Sequence, residues 1–557
     1  MKTIFTVFAL TLFVNFSSSQ NTTVEKFKYP LERELEPNVQ PYPGPIETNP
    51  SSPIFFNINI SQNSAPQNEP SVGISRKNPN RVVAAWRDFR YGVDPNANRR
   101  VGYAYSTNSG LTWQTGLLDS TLLPGLTRNS DPVVTVDTAG NFYIAVISIN
   151  PSGSNLTLAL YKSTNGGMTF PNAYIASQSG TEDKEWITTD LSPISPFLNT
   201  LYISWTSFSL GGIRLTKSTN GGVNWSVPVA VSAGGGVQGS SICISRNGQI
   251  NVVWVSGTAT TTRINYDRST NGGTSFGTDL IIAEGLDPVG LPNSVGTFPS
   301  IDVDNSTGIR SGWLYTVFAD NRNGDCDVFL TKSTNAGVNW STPVRVNNDG
   351  MANGKIQYWP TIAVDEQGNI AILFMDSRNT PNNTIIEAFI ARSYDGGVTF
   401  TNELVSSEQS PTNTPGSNVR FGDYIDIDYL GENIVPVWTD ERLGGFNMDI
   451  YSAEITEVLA VDPKNGTIPD NYSLHQNYPN PFNPTTSIWF SLPEESYITL
   501  SIYNSLGELL ETPVKGTLRA GKFSVRWDAD KYSSGVYFYK LISSSGFTDT
   551  KKMMLVK

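Results

Sequence analysis

An eight-residue pattern recurs six times along the 557-residue chain, and no other feature restricts the fold as strongly. It reads Ser-x-Asn/Asp-x-Gly-x-Thr/Asn/Ser-Trp/Phe. The copies run from Ser106 to Trp113, Ser163 to Phe170, Ser218 to Trp225, Ser269 to Phe276, Ser333 to Trp340 and Ser393 to Phe400. Successive copies start 57, 55, 51, 64 and 60 residues apart. A period of that length marks one supersecondary unit used repeatedly, each copy burying its apolar faces against its neighbours. Inside the pattern the Asn or Asp bonds its own backbone, the Gly supplies a positive φ, and the final aromatic packs between sheets.

Each copy follows alternating apolar segments. In the fifth unit these are 298–304, 314–318 and 327–332, with 343–346 after the pattern. A four-stranded unit repeated about an axis predicts a β-propeller. After the last copy, segments 424–428, 434–438 and 448–451 lack a fourth strand, whereas 54–60 has no strands before it. Pairing the two ends closes the ring without an open edge. The repeat spacing divides residues 53–455 into seven blades, with six as the alternative.

Composition narrows the chemistry. The formal net charge of −12 excludes nucleic acid binding through phosphate neutralisation. The single histidine, His475, lies near the C-terminus, which excludes Ser-His-Asp triads, Cys-His pairs and His-ligated zinc from the repeat region. Two cysteines, Cys243 and Cys326, read as small core residues. No apolar stretch is long enough to cross a bilayer.

The ends are distinct from the middle. Residues 1–19 combine a basic start, a short apolar run and small residues, the form of a secretory signal peptide. Residues 20–52 are rich in proline and read as an extended linker. The repeat domain is expected over 53–457 and a second linker over 458–470. Residues 471–557 open with Tyr478-Pro479-Asn480-Pro481-Phe482-Asn483-Pro484 and continue as short alternating strands, read as a small Ig-like β-sandwich. They close on Lys551-Lys552-Met553-Met554-Leu555-Val556-Lys557. This segment resembles the C-terminal sorting domain of type IX (Por) secretion cargo. The resemblance implies export across the outer membrane, with the secretion machinery as partner.

The six patterns resemble the Asp-box (BNR repeat) of sialidase-like β-propellers, five copies carrying Asn and one carrying Asp395. The fold class is therefore all-β, a sialidase-like propeller followed by a small Ig-like sandwich. The boxes themselves read as structural, since a catalytic role would be repeated in every blade.

Ligand sites are expected on the face away from the boxes, where the second strands end and the first strands start. Four second strands end in Asp-x-Arg: Asp88 and Arg90, Asp320 and Arg322, Asp376 and Arg378, Asp440 and Arg442. These read either as repeated ion pairs or as an anionic-sugar site with bidentate arginines. First-strand starts add Glu182, Asp183, Glu185, Trp359, Arg420, Asp423 and Tyr424.

The sialidase resemblance implies a tyrosine nucleophile, a Glu partner, an Asp acid/base and an arginine triad. On this chain Tyr424 matches the nucleophile, Glu185 the partner and Asp94 the acid/base. Asp88 and Arg90 stand at the Glu-x-Arg position, and Arg322, Arg378, Arg420 and Arg442 are candidates for the triad. Trp359 is a candidate for sugar stacking. Asn68 stands where the family has its first arginine. Three readings follow: an exo-glycosidase on complex glycans, acidic ones included; a non-catalytic glycan- or protein-binding propeller; and a structural surface protein. No cofactor is expected, with structural calcium at the Asp325 and Asp327 turn as the one candidate, although the spacing fits no specific calcium loop.

Overall fold

The computed structural model describes residues 55–92, 99–257, 261–286, 298–412, 421–444, 447–456, 459–460, 469, 471–494, 496–518, 521–529 and 531–557. The signal peptide and the first linker, 1–19 and 20–52, lie outside the described residues.

Strand follows strand from Phe56 to Leu555, and the described residues contain no α-helix. Six four-stranded antiparallel meanders follow in chain order. The first comprises Gln67–Ile74, Val82–Asp88, Arg100–Ser106 and Gln114–Leu117. The remaining five start at Arg128, Glu182, Val237, Ser300 and Gln357, the last carrying a short extra strand at Ser410–Pro411. A seventh sheet is made from both ends of the repeat region. Asp426–Leu430, Asn433–Asp440 and Asp449–Thr456 are joined by Phe56–Asn59, which pairs antiparallel with the third of these strands. Each first strand contacts the first strand of the next sheet, and the seventh contacts the first. The result is a ring of seven sheets around an axis lined by first strands.

Because sheets pack face to face, the second strands are buried on both faces and largely apolar. Trp86, Trp205, Trp254 and Trp438 occupy equivalent second-strand positions and are fully buried. Side chains also bond across blades to neighbouring backbone. Ser71 Oγ accepts from the Val134 N–H at 3.0 Å, and Asp302 Oδ2 from the Val364 N–H at 2.8 Å. The ring closes in the same way: Asp426 Oδ2 accepts from Ser71 Oγ and the Val72 N–H, and Asp428 Oδ2 from the Ile74 N–H at 2.7 Å.

The six boxes share one geometry. The serine Oγ accepts from the glycine N–H four residues on, at 2.9 Å in Ser106–Gly110 and 2.8 Å in Ser333–Gly337. The Asn or Asp Oδ1 accepts from the N–H four residues further, at 3.0 Å in both Asn108–Thr112 and Asp395–Thr399. A cation just before one box reaches the backbone of the next, as in Lys162 to Gly221 O and Lys332 to Gly396 O. The boxes therefore form a structural belt.

The C-terminal unit packs two four-stranded sheets over a core that includes Phe482, Ile488, Trp527 and Tyr539. Its first sheet includes Leu459–Ala460, which pairs with Phe523 and Ser524, so strand pairing begins inside the segment read as a linker. Cys243 and Cys326 are buried and free.

Candidate functional site

Five of the seven first strands enter the ring through a β-bulge. Register shifts fall at Asn68/Ser71, Ser130/Val133, Asp183/Trp186, Gln238/Ser241 and Tyr358/Thr361. One residue in each bulge has positive φ: Glu69 at 55°, Asp131 at 53°, Lys184 at 49°, Gly239 at 67° and Trp359 at 51°. Four of these are not glycine. Such backbone costs on the order of 1–3 kcal/mol per residue and persists where the surroundings hold it. Bulges re-aim side chains; here the neighbouring sheets bring their bulge residues to one end of the axis.

The cluster is divided. Sheets one to three supply charge: Glu69 and Arg87, Asp131, and Asp183 with Lys184 and Glu185. Sheets five to seven supply rings: Phe298, Trp359 and Tyr424. Lys184, Trp186, Ser240, Phe298, Trp359 and Tyr424 are among the residues that line a small axial cavity.

Arg87 ties the acidic side together. Its Nε donates to Asn68 Oδ1 at 2.8 Å, and its terminal nitrogens lie 3.1 Å from Glu69 Oε1 and 3.5 Å from Asp131 Oδ1. Gln238 Nε2 donates to Asp183 Oδ2 at 2.6 Å. Lys184 Nζ sits among rings, 3.8 Å from the centroid of Tyr424, 4.5 Å from Trp186 and 5.5 Å from Phe298. Trp359 stacks on Phe421 with centroids 6.0 Å apart. The Tyr424 hydroxyl donates to the Pro132 carbonyl at 3.3 Å.

Glu185 is 1% exposed, and neither carboxyl oxygen has a hydrogen-bond partner. Burial, reinforced by Asp131, pushes its pKa well up. Burial also raises Glu69 well above the carboxylate range, against the pull of Arg87. Asp183 is pushed up to about 7 by burial and by Asp131 and Asp423. The Lys184 ammonium is lowered by burial, and the Tyr424 phenol is raised by burial and by the carboxylates of Glu69, Asp131 and Glu185. The end of the axis thus holds several acids with split affinities for protons beside a buried phenol and two cations.

Of the residues singled out from sequence, Tyr424, Glu185, Trp359, Asp183 and Asp423 meet here. Asp94 and Arg420 lie outside the described residues. The Asp-x-Arg residues do not line the cavity. Each arginine is bound by the Asp two residues before it, at 2.7 Å for Arg90–Asp88 and Arg378–Asp376 and 2.6 Å for Arg442–Asp440, with Arg322–Asp320 alike. Three of them also lie over a third-strand ring, Phe329, Phe389 or Tyr451. Asp88, Arg90, Arg322, Arg378 and Arg442 are thus clamps at the ends of the second strands, placed by the local turn and not by convergence on a ligand.

Arg87, Glu69, Asp131 and Lys184 were not singled out from sequence. Two signals point to the first three. Strand alternation sends Arg87 opposite to Asp88, and an acid or aromatic precedes Pro at Glu69-Pro70, Asp131-Pro132, Phe298-Pro299 and Trp359-Pro360.

At the proposed calcium turn, Asp327 accepts from Asn323, Arg345 and Asn347, and Asp325 accepts from the Gly354 N–H. Donors, one of them a guanidinium, already surround Asp327. No group of three or more His, Cys, Asp or Glu placed to hold a metal ion occurs among the described residues.

Residues 476–557 match the family described as the secretion system C-terminal sorting domain. The chain thus ends in a type IX secretion sorting domain, which directs it across the outer membrane to the cell surface or the extracellular space. Among the described residues no helix is long and apolar enough to cross a membrane. No curated protein matches the sequence. Solved structures with a similar fold include a leech intramolecular trans-sialidase, at 12% identity and TM-score 0.40 over 57% of this chain and 67% of that one. A Hadza microbial sialidase, Hz136, shares 13% identity over 72% and 68%, with TM-score 0.40. PorZ of Porphyromonas gingivalis, a surface component of the type IX system, shares 14% over 86% and 58%, with TM-score 0.37.

Proposed function

We propose that this exported propeller binds a glycan at the acid-and-aromatic end of its axis and hydrolyses it as a retaining glycosidase. The observation that carries this reading is the presence in one buried cluster of the Tyr424 phenol and, close enough to raise its pKa, Glu185, a carboxyl that has no hydrogen-bond partner and a raised pKa of its own. Perturbed titratable groups converging in a cleft are the physical mark of acid–base chemistry.

In this reading Glu185 acts in its ionised form, so turnover rises with pH through its raised pKa: the Tyr424 oxygen attacks the anomeric carbon, its proton passes to the Glu185 carboxylate, and the bond to the leaving oxygen breaks. Asp94 protonates that oxygen and later activates water, the role the sialidase resemblance gives it. Trp359 and Phe298 offer faces for the sugar ring.

One observation favours a second reading, a propeller that binds glycan without cleaving it. The Tyr424 hydroxyl donates to the Pro132 carbonyl rather than to Glu185. The two readings separate in a hydrolysis screen of residues 20–557 against aryl glycosides, beside Tyr424→Phe, Glu185→Gln and Asp94→Asn. Turnover that falls by roughly 100-fold or more in each variant supports catalysis. Glycan binding without turnover supports the second reading.

A further inference from the structure

We infer that the sugar taken at this site is an uncharged pyranose unit and that carboxylated sugars are excluded. This rests on the glycan reading above and names its substrate class.

The first ground is the state of the arginines. A sugar carboxylate is best held by a guanidinium fork free to pair with it. Arg87, the described arginine that binds the cluster's acids, is already engaged by Asn68, Glu69 and Asp131. Arg90, Arg322, Arg378 and Arg442 are each engaged by their own Asp. To be held by any of these described arginines, an incoming carboxylate would have to break one of the pairs and leave a carboxyl unpaired.

The second ground is the set of polar atoms left without partners. Glu69 Oε2, both oxygens of Glu185 and Gln238 Oε1 are buried and unbonded, and so is the indole N–H of Trp359. The four residues are 3%, 1%, 1% and 3% exposed. Unpaired buried groups of this kind cost on the order of 1–3 kcal/mol each. With Glu69 and Glu185 protonated, the unmet groups both donate and accept, so a complementary ligand must do both. Sugar hydroxyls donate and accept; a carboxylate only accepts and leaves the unmet acceptors without a donor.

The third ground is the division of the cluster. Rings on one side and acids on the other match a pyranose, which has an apolar face and a rim of hydroxyls. Lys184 adds one cation, but its ammonium is held by three rings.

The test is a printed array and calorimetry on the full exported chain, using matched pairs: N-acetyllactosamine chains with and without terminal sialic acid, and chitin oligosaccharides against hyaluronan oligosaccharides. The neutral member of each pair should bind roughly tenfold or more tightly than its carboxylated mate. Trp359→Ala should abolish that binding, and Trp359→Phe, which keeps the ring and removes the N–H, should weaken it. Preference for the carboxylated members would overturn the inference and leave the glycan reading standing. Binding to none of the glycans would overturn both. Neutral binding untouched in both Trp359 variants would place the sugar elsewhere and overturn the assignment to this site.

Discussion

Asn68 and Arg87 face each other across the first two strands of the first sheet, and Arg87 Nε donates to Asn68 Oδ1 at 2.8 Å. The sialidase resemblance puts an arginine where this chain has Asn68. Here a guanidinium enters from the neighbouring strand instead and is engaged by Glu69 and Asp131. The cluster therefore binds its own acids with the cation that could have bound a ligand's.

Arg87→Met should be costly. It leaves the half-buried Asp131 without its counter-charge and the buried Glu69 carboxyl without its partner, a loss of about 3 kcal/mol. Urea unfolding of the propeller would measure it. A loss well under about 1 kcal/mol would show the pair to behave like an exposed one.

The raised carboxyl pKa values fix a pH dependence. Glu69, Asp183 and Glu185 hold protons in the folded state at pH values where the unfolded chain has released them. Their contribution is complete below the unfolded carboxyl pKa, roughly 4. It is lost as pH rises through the folded value, about 7 for Asp183. Asp302 at about 7 and Asp426 at about 6 act in the same sense. The melting temperature should fall between pH 5 and pH 8, and Glu185→Gln should flatten the slope. A melting temperature that climbs steadily across that window would contradict the assignment.

Ring closure and box turns should respond differently to the loss of a charge. Asp426→Ala removes the acceptor for Ser71 Oγ and the Val72 N–H at the junction of the seventh and first sheets. A loss of roughly 1–3 kcal/mol is expected. Asp395→Asn should be close to neutral, within about 0.5 kcal/mol at pH 7. The amide oxygen can accept from the Thr399 N–H as asparagine does in the other five boxes. Thermal unfolding of the two variants side by side checks both.

The Asp-x-Arg clamps should matter for stability and not for ligand. Arg322→Ala frees Asp320 and removes the stack on Phe329. It should lower the melting temperature while glycan affinity stays within about twofold, read by calorimetry. A much larger loss of affinity would return Arg322 to the binding site.

The fold was legible because its determinants are local and repeated. Six turns, five serine–asparagine and one serine–aspartate, each bonded within itself, announce the period, and apolar alternation places the strands. The closure of the ring by Phe56–Asn59 followed from a missing fourth strand. The site was legible only in part. Tyr424, Glu185 and Trp359 stand at first-strand starts and were found there. Arg87 is hidden in the sequence by the repeated Asp-x-Arg beside it, and a repeat in four blades signals structure more than function. Lys184 was missed because a bulge rotates it toward the axis without the proline that follows Glu69, Asp131 and Trp359 at their bulges.

The measurement that tests the central claim most directly is covalent trapping at Tyr424. The chain would be incubated with the 2-deoxy-2-fluoroglycosyl fluoride of whichever sugar is turned over in the screen and then analysed by peptide mass spectrometry. One glycosyl group on the Tyr424 peptide, absent from Tyr424→Phe, is the predicted result. A label on another residue, or an unlabelled chain that still turns the sugar over, would contradict the account.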